Sequence, residues 1–269
     1  LVPSTLFKAQ LKNKLSEDGV IVEFLSKHLT GNYLKNIFTF SINDKVYPNA
    51  FSYAINDELW EDRKIESMTC CIHGDFHGNN VFISNQTSDY AIIDMASYRE
   101  DGWLFYDTAY FELSIMLHNM EKESLSDWFY WIEEIIKQAW DEIDFKDSRV
   151  IRTIVEEEET WIGTKVTDTF NYYDQLHNAR LLARVLVGLN YAGKKNVSDD
   201  LRLKAYMFSC CYLKYLLEKE KISYISSSIC KWKDNLEIST NNSEFSRFLD
   251  FVGKFDDSQD YYLILGRQW

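Results

Sequence analysis

Prolines stand only at positions 3 and 48 of this 269-residue chain, and glycines number ten. These residues are the strongest breakers of regular structure, so their scarcity lets long stretches run as helix. The apolar spacing agrees. Leu11, Leu15, Val20, Phe24 and Leu25 fall near one face of a helix predicted over residues 6–29. A short helix is expected over 58–68. Beyond these, helices are predicted over 107–120, with Asp107 and Thr108 as the N-cap, and over 125–143. In the second, Trp128, Trp131, Ile132, Ile135, Ile136 and Trp140 form an apolar stripe. Four more are expected over 147–161, 172–191, 199–218 and 241–255. Glu156 to Glu159 read as a solvated acidic face, and Tyr206, Phe208, Tyr212, Tyr215 and Leu217 as core. The polar run 223–228 reads as irregular.

Strand signals are confined to the first half. Phe38, Phe40 and Ile42 alternate before an Asn43-Asp44 turn, and Cys70-Cys71-Ile72 reads as a short buried strand or a loop. Two apolar runs, 81–83 and 90–93, flank the polar segment 85–89, which is the pattern of a β-hairpin. No internal repeat or low-complexity linker appears. The expected fold class is a single domain, mainly α with a small β-hairpin.

Composition excludes several function classes. A net charge of −13 argues against a nucleic-acid or bilayer partner, both of which favour basic patches. It suits a cationic substrate or an ordinary acidic surface. No apolar run reaches the roughly 20 residues of a membrane helix. The five cysteines include two adjacent pairs and no C-x-x-C spacing, so reduced thiols in a cytoplasmic protein are expected.

The densest chemistry lies in CCIHGDFHGNNVFISNQTSDYAIIDMASYREDGWLFYDTAYFEL, residues 70–113. A hairpin centred on Thr87 puts Asn80 opposite Asp94, with Cβ atoms about 5 Å apart. An amide oxygen and a carboxylate are hard ligands of the kind Mg²⁺ takes beside phosphates and water. The loop before Asn80 brings Asp75 to the same end, where a carboxylate can accept a proton from an attacking hydroxyl. Spacing of this kind taken alone also suits a polar turn. His73, Asp75 and His77 have no further ligand at zinc spacing, so zinc is not expected. His28, His118 and His177 read as ordinary helix histidines. Arg180 and Arg184 share a helix face, for a phosphate, an acidic partner or salt bridges beside the core.

The order His73-x-Asp75-x-x-x-x-Asn80, hairpin, Asp94 resembles the protein-kinase catalytic loop and metal aspartate. With Gly74 after the histidine, Met95-Ala96 after the aspartate, and Gly102 and Asp107-Thr108-Ala109 downstream, it resembles the aminoglycoside phosphotransferase and choline kinase superfamily more closely. The resemblance implies a protein-kinase-like C-terminal lobe. It implies Asp75 as catalytic base, Asn80 and Asp94 as Mg²⁺ ligands, and Phe82 and Ile93 as the apolar floor under a nucleotide base. His73 would shape the loop, and Asp107 would brace it or cap its helix. Tyr98 to Asp101 would border the substrate or form a solvated loop. The simple hairpin register places Phe82 and Ile93 on opposite faces, so either the hairpin slips by one residue or one assignment is wrong.

The β-rich N-terminal lobe of a kinase, with its glycine-rich loop and strand lysine, has no counterpart here. Residues 1–69 read as a leading helical part, 70–113 as catalytic loop, hairpin and metal segment, and 114–269 as a helical substrate subdomain. The opening Leu1-Val2-Pro3 and the missing lobe suggest a piece of a longer protein. The expected activity is Mg²⁺-dependent transfer of the γ-phosphate of ATP or GTP to a hydroxyl of a small acceptor, for which a cationic molecule would suit the acidic balance, and it is expected to be weak or absent without the other lobe. The alternative is a kinase-like nucleotide-binding or protein-interaction module, a pseudokinase, within a larger bacterial regulatory or defence protein.

Overall fold

A computed structural model describes residues 2–28, 37–42, 45–61, 63–64, 69–83, 89–165, 172–222 and 229–231. The predicted helix 241–255 and the polar run 223–228 lie outside them. Among the described residues the fold is mostly helical, with three small sheets.

The first predicted helix is two. Helix α1 (Pro3–Leu11) runs into a 3-10 turn, Lys12–Leu15, and α2 (Val20–His28) begins after a break. In the break the Ser16 hydroxyl and the Ser16 amide both donate to the Asn13 carbonyl. Gly19 lies so close to the turn that a Cβ on it would sit 2.4 Å from the Lys14 carbonyl oxygen. Apolar periodicity carries across such a turn, because both segments bury the same side, and so it hides the break.

Strands β1 (Thr39–Ile42) and β2 (Lys45–Pro48) pair antiparallel, Thr39 opposite Pro48, and β7 (Ile229–Lys231) joins β1 in parallel. Helix α3 (Ala50–Ile55) follows, capped by the Asn49 side chain on the Phe51 amide. The expected helix 58–68 is a 3-10 turn over Glu58–Trp60; residues 65–68 are not described. The leading part thus joins helices to strands, and the strand expected over 38–42 is present as β1.

The long helices form the frame. Helices α7 (Tyr172–Ala192) and α8 (Asp199–Lys219) pack along each other, and α4 (Tyr106–Asn119) crosses both. Helix α5 (Leu125–Lys137) buries Trp128, Ile132 and Ile135 against α8, ending at Gln138 in a left-handed conformation. Helix α6 (Ser148–Lys165) packs on α4 and α7. Tyr206, Phe208, Tyr212 and Leu217 are buried as expected; Tyr215 is exposed, since it projects from the outer face of α8.

Arg180 and Arg184 of α7 form salt bridges in and beside the core. Arg184 binds Glu112 of α4 at 2.6 Å and Glu158 of α6 at 2.8 Å. Arg180 binds Glu159 at 2.6 Å. Glu158 is therefore buried rather than part of a solvated face: a cation from another helix compensates its charge. Among the described residues no helix is long and apolar enough to cross a membrane.

Candidate functional site

Strand β3 (Thr69–Ile72) delivers the chain into the loop 73–80 and pairs antiparallel with β6 (Arg99–Trp103). It is only partly buried, with Cys71 exposed. After the loop come β4 (Val81–Ile83) and β5 (Tyr90–Ile92), an antiparallel pair. The hairpin forms as predicted, but its register differs by one residue. Val81 faces Ile92, Phe82 faces Ala91 and Ile83 faces Tyr90. The connection between Ile83 and Tyr90 holds an even number of residues, so its centre lies between Gln86 and Thr87 rather than on Thr87.

This slip has two consequences. Asn80 stands beside Ile93 instead of opposite Asp94, and its carbonyl accepts from the Ile93 amide at 3.0 Å. Phe82 and Ile93 fall on one face of the hairpin, which removes the conflict between register and role. Both are open to solvent, 59% and 44% exposed.

Three side chains wire the loop together. The Asp107 carboxylate accepts from the His73 amide at 2.6 Å and the Gly74 amide at 2.9 Å. It does not cap α4: the capping position is Phe105, and Asp107 points back to the loop. The Thr108 hydroxyl is shared between the Glu158 carboxylate and the Phe105 carbonyl, both acceptors. The His73 ring donates from Nε2 to the Ile93 carbonyl at 2.7 Å, while Nδ1 accepts from the Asp75 amide at 3.3 Å. Both bonds require the Nε2–H tautomer. The Asn80 amide nitrogen donates to the Asp75 carbonyl at 2.9 Å. Gly74 has φ +82°, and a Cβ there would sit 2.3 Å from the Ser97 carbonyl oxygen. Only glycine fits this position.

The donor set suits a magnesium ion held largely by phosphates and water. With the Asn80 nitrogen committed to Asp75, its oxygen is the atom left for a ligand. Asp94 is exposed, has φ +58° and caps nothing with its side chain. A left-handed aspartate held at a strand end is the kind of outlier that clusters at functional sites. Among the described residues no group of three or more His, Cys, Asp or Glu side chains is placed to hold a metal. A pair of one carboxylate and one amide oxygen is smaller than such a group.

Asp75 is half-buried and meets residues that the local pattern did not suggest. Lys194, in the turn after α7, donates to its Oδ1 at 2.9 Å, and Tyr110 of α4 shares a hydrogen bond with it. Lys194 also binds the Tyr110 hydroxyl and lies 5.1 Å and 5.3 Å from the ring centres of Tyr110 and Tyr191. His77 Nε2 stands 3.7 Å from Oδ2. Burial raises the Asp75 pKa, but the hydrogen bonds from Tyr110 and Lys194 and the nearby positive charge outweigh it, so the carboxyl titrates below its ordinary range. A cavity of about 570 Å³ opens beside it, with His77, Tyr110, Tyr191, Lys194, Glu121 and Asp147 in its wall.

Compared with protein-family models, with curated proteins and with solved structures, the chain gives no match in any of the three.

Proposed function

We propose that this chain is the helical lobe of a protein-kinase-like phosphotransferase, of the aminoglycoside phosphotransferase and choline kinase type, that moves the γ-phosphate of ATP or GTP to a hydroxyl of a small molecule. One observation carries the proposal: Asp107, His73 and Asn80 brace the loop bearing Asp75 with five hydrogen bonds, of which the one from the His73 ring to the Ile93 carbonyl reaches the strand end next to Asp94. A polar turn does not need a buried histidine and a carboxylate from a later helix to hold its shape. Such preorganisation is what phosphoryl transfer draws on, since its catalysis is chiefly positioning and charge stabilisation.

In this proposal Asp75 orients the acceptor hydroxyl and takes its proton. Asn80 and Asp94 would hold Mg²⁺, which would supply charge that stabilises the transferring phosphate. Phe82 and Ile93 receive the nucleotide base on their shared, open face, which an upper lobe would cover. The net charge of −13, with Glu121 and Asp147 in the cavity wall, supports a cationic acceptor. Free thiols and a nucleotide substrate suit the cytoplasm.

A second reading is favoured by the hairpin itself, which exposes Ile83, Tyr90 and Ile92 on its other face as well. Exposed apolar patches of this kind mark interaction surfaces, as expected of a kinase-like binding module within a larger bacterial regulatory or defence protein. Nucleotide turnover by the wild type, Asp75→Ala and Asp94→Ala forms of the longest natural chain separates the readings. Loss in both variants supports transfer; equal turnover in all three would sink the catalytic assignment.

A further inference from the structure

We infer that a second cavity, of about 340 Å³ between α1, the segment after Asp94 and α7, is a binding site for a small oxyanion, a carboxylate or a phosphate group, which receives hydrogen bonds from the Tyr106 hydroxyl and the Arg99 guanidinium. Its wall includes Leu11 of α1, Gly74, Tyr98, Arg99, Tyr106 of α4 and Asn190 of α7. It shares none of its lining residues with the cavity beside Asp75. The inference therefore stands whether or not this lobe transfers phosphate.

Tyr106 supplies the first donor. It opens α4 and is buried, at 4% exposure. Lys14 donates to the Asn190 carbonyl at 3.1 Å and to the Asn190 Oδ1 at 2.7 Å. An ammonium only donates, so the side-chain oxygen of Asn190 has to face Lys14, and its nitrogen faces the other way. That nitrogen donates to the Tyr106 hydroxyl at 2.6 Å. The Tyr106 oxygen is thus an acceptor, and its own proton finds no acceptor among the described residues. A buried donor in that condition calls for a ligand atom that accepts.

Arg99 supplies the charge. Residues 89–98, 100 and 101 are exposed, whereas Arg99 is half-buried. In the pairing of β3 with β6 it lies opposite Ile72, which is buried, so the two side chains share the inner face. Its positive charge reaches the Tyr106 hydroxyl. Among the described residues no carboxylate pairs with Arg99. Asp75 and Asp107 also act on Tyr106, but Lys194 binds the first, and the amides of His73 and Gly74 bind the second. Lys14 adds a further positive charge behind Asn190. Water accepts a phenol proton well, but only an anion also answers the charge. The planar guanidinium presents paired N–H donors that match the oxygens of a carboxylate or a phosphate. The net charge of −13 disfavours anions over the surface at large, and the local cations with the spare hydroxyl reverse that balance here.

The test is an NMR titration of the chain with sodium acetate and, separately, with sodium phosphate, at constant ionic strength set by sodium chloride. Nucleotide and Mg²⁺ are left out, so the result does not depend on the phosphotransfer proposal. The Arg99 Nε–H signal should shift and saturate at millimolar anion with at least one of the two salts. Tighter binding of phosphate assigns a phosphate-bearing ligand, and tighter binding of acetate a carboxylate. Arg99→Met should weaken that binding at least about tenfold, read from backbone amides around the cavity, because it removes the charge and the paired donors. Arg99→Lys should recover part of the loss, since it keeps the charge without the fork. Tyr106→Phe should weaken binding about three- to tenfold by removing one donor, which keeps the inference testable should Arg99→Met fail to fold. No saturable shift with either salt, or an affinity that Arg99→Met or Tyr106→Phe leaves within about twofold of wild type, overturns the inference.

Discussion

Asp107 offers the sharpest perturbation of the loop. Its two oxygens each accept one backbone N–H, at 2.6 Å from His73 and 2.9 Å from Gly74. Hydrogen bonds to a charged acceptor contribute about 1.5–3 kcal/mol each. Asp107→Asn has the same shape but keeps one acceptor, loses the charge, and turns an amide N–H toward one of the two donors. His73 is buried, so the displaced donor does not regain water in full. The expected local cost is about 2–3 kcal/mol. Since about 1.4 kcal/mol is a factor of ten, amide exchange at His73 and Gly74 should accelerate about 30- to 150-fold. Native-state hydrogen exchange by NMR reads this residue by residue. The first turn of α4 should lose only a few tenths of a kcal/mol, from the weakened dipole interaction. Exchange at residues 73 and 74 within about twofold of wild type, with the start of α4 opening instead, would refute the brace and restore the capping role.

Two other expectations follow from buried cations. Arg184→Met strands the carboxylates of Glu112 and Glu158, whose side chains are 0% and 4% exposed, and should cost about 3–5 kcal/mol in denaturant unfolding. The double variant Arg184→Met, Glu112→Gln should cost less than the sum of the two single changes, because the same network is broken once. Lys14 has its pKa lowered to about 8, by burial first and by the charge of Lys194 second, partly offset by Asp75. Between about pH 8 and 10.5 the folded chain has released this proton while the unfolded chain still holds it, so the contribution of Lys14 to stability rises with pH across that window. Lys14→Met should flatten that rise, as read from denaturant midpoints at several pH values.

Local pattern revealed what is encoded locally. The long helices after residue 106, the hairpin and the order of His73, Asp75, Asn80, Asp94 and Asp107 all follow from neighbours within a few positions. Features that depend on distant partners did not. Glu158 reads as solvated until Arg184 arrives from α7, and Asp107 reads as a cap until the amides of His73 and Gly74 lie above it. Lys194 follows a glycine at a helix end, where a basic residue is ordinary, and nothing nearby points to Asp75. The hairpin register turned on a single residue of loop length, the quantity that alternation of side chains constrains least. The break at Ser16 to Gly19 left the apolar period intact, and so went unseen.

The proposed magnesium–phosphate site rests on Asn80 and Asp94. Calorimetric titration of ATP into the chain, with and without Mg²⁺, in the wild type and in Asp94→Ala, tests it most directly. Weak binding that requires Mg²⁺ and falls at least about tenfold in Asp94→Ala is the predicted result. Binding of equal strength with and without the metal and with and without Asp94, or no binding by the wild type at millimolar nucleotide, would contradict it.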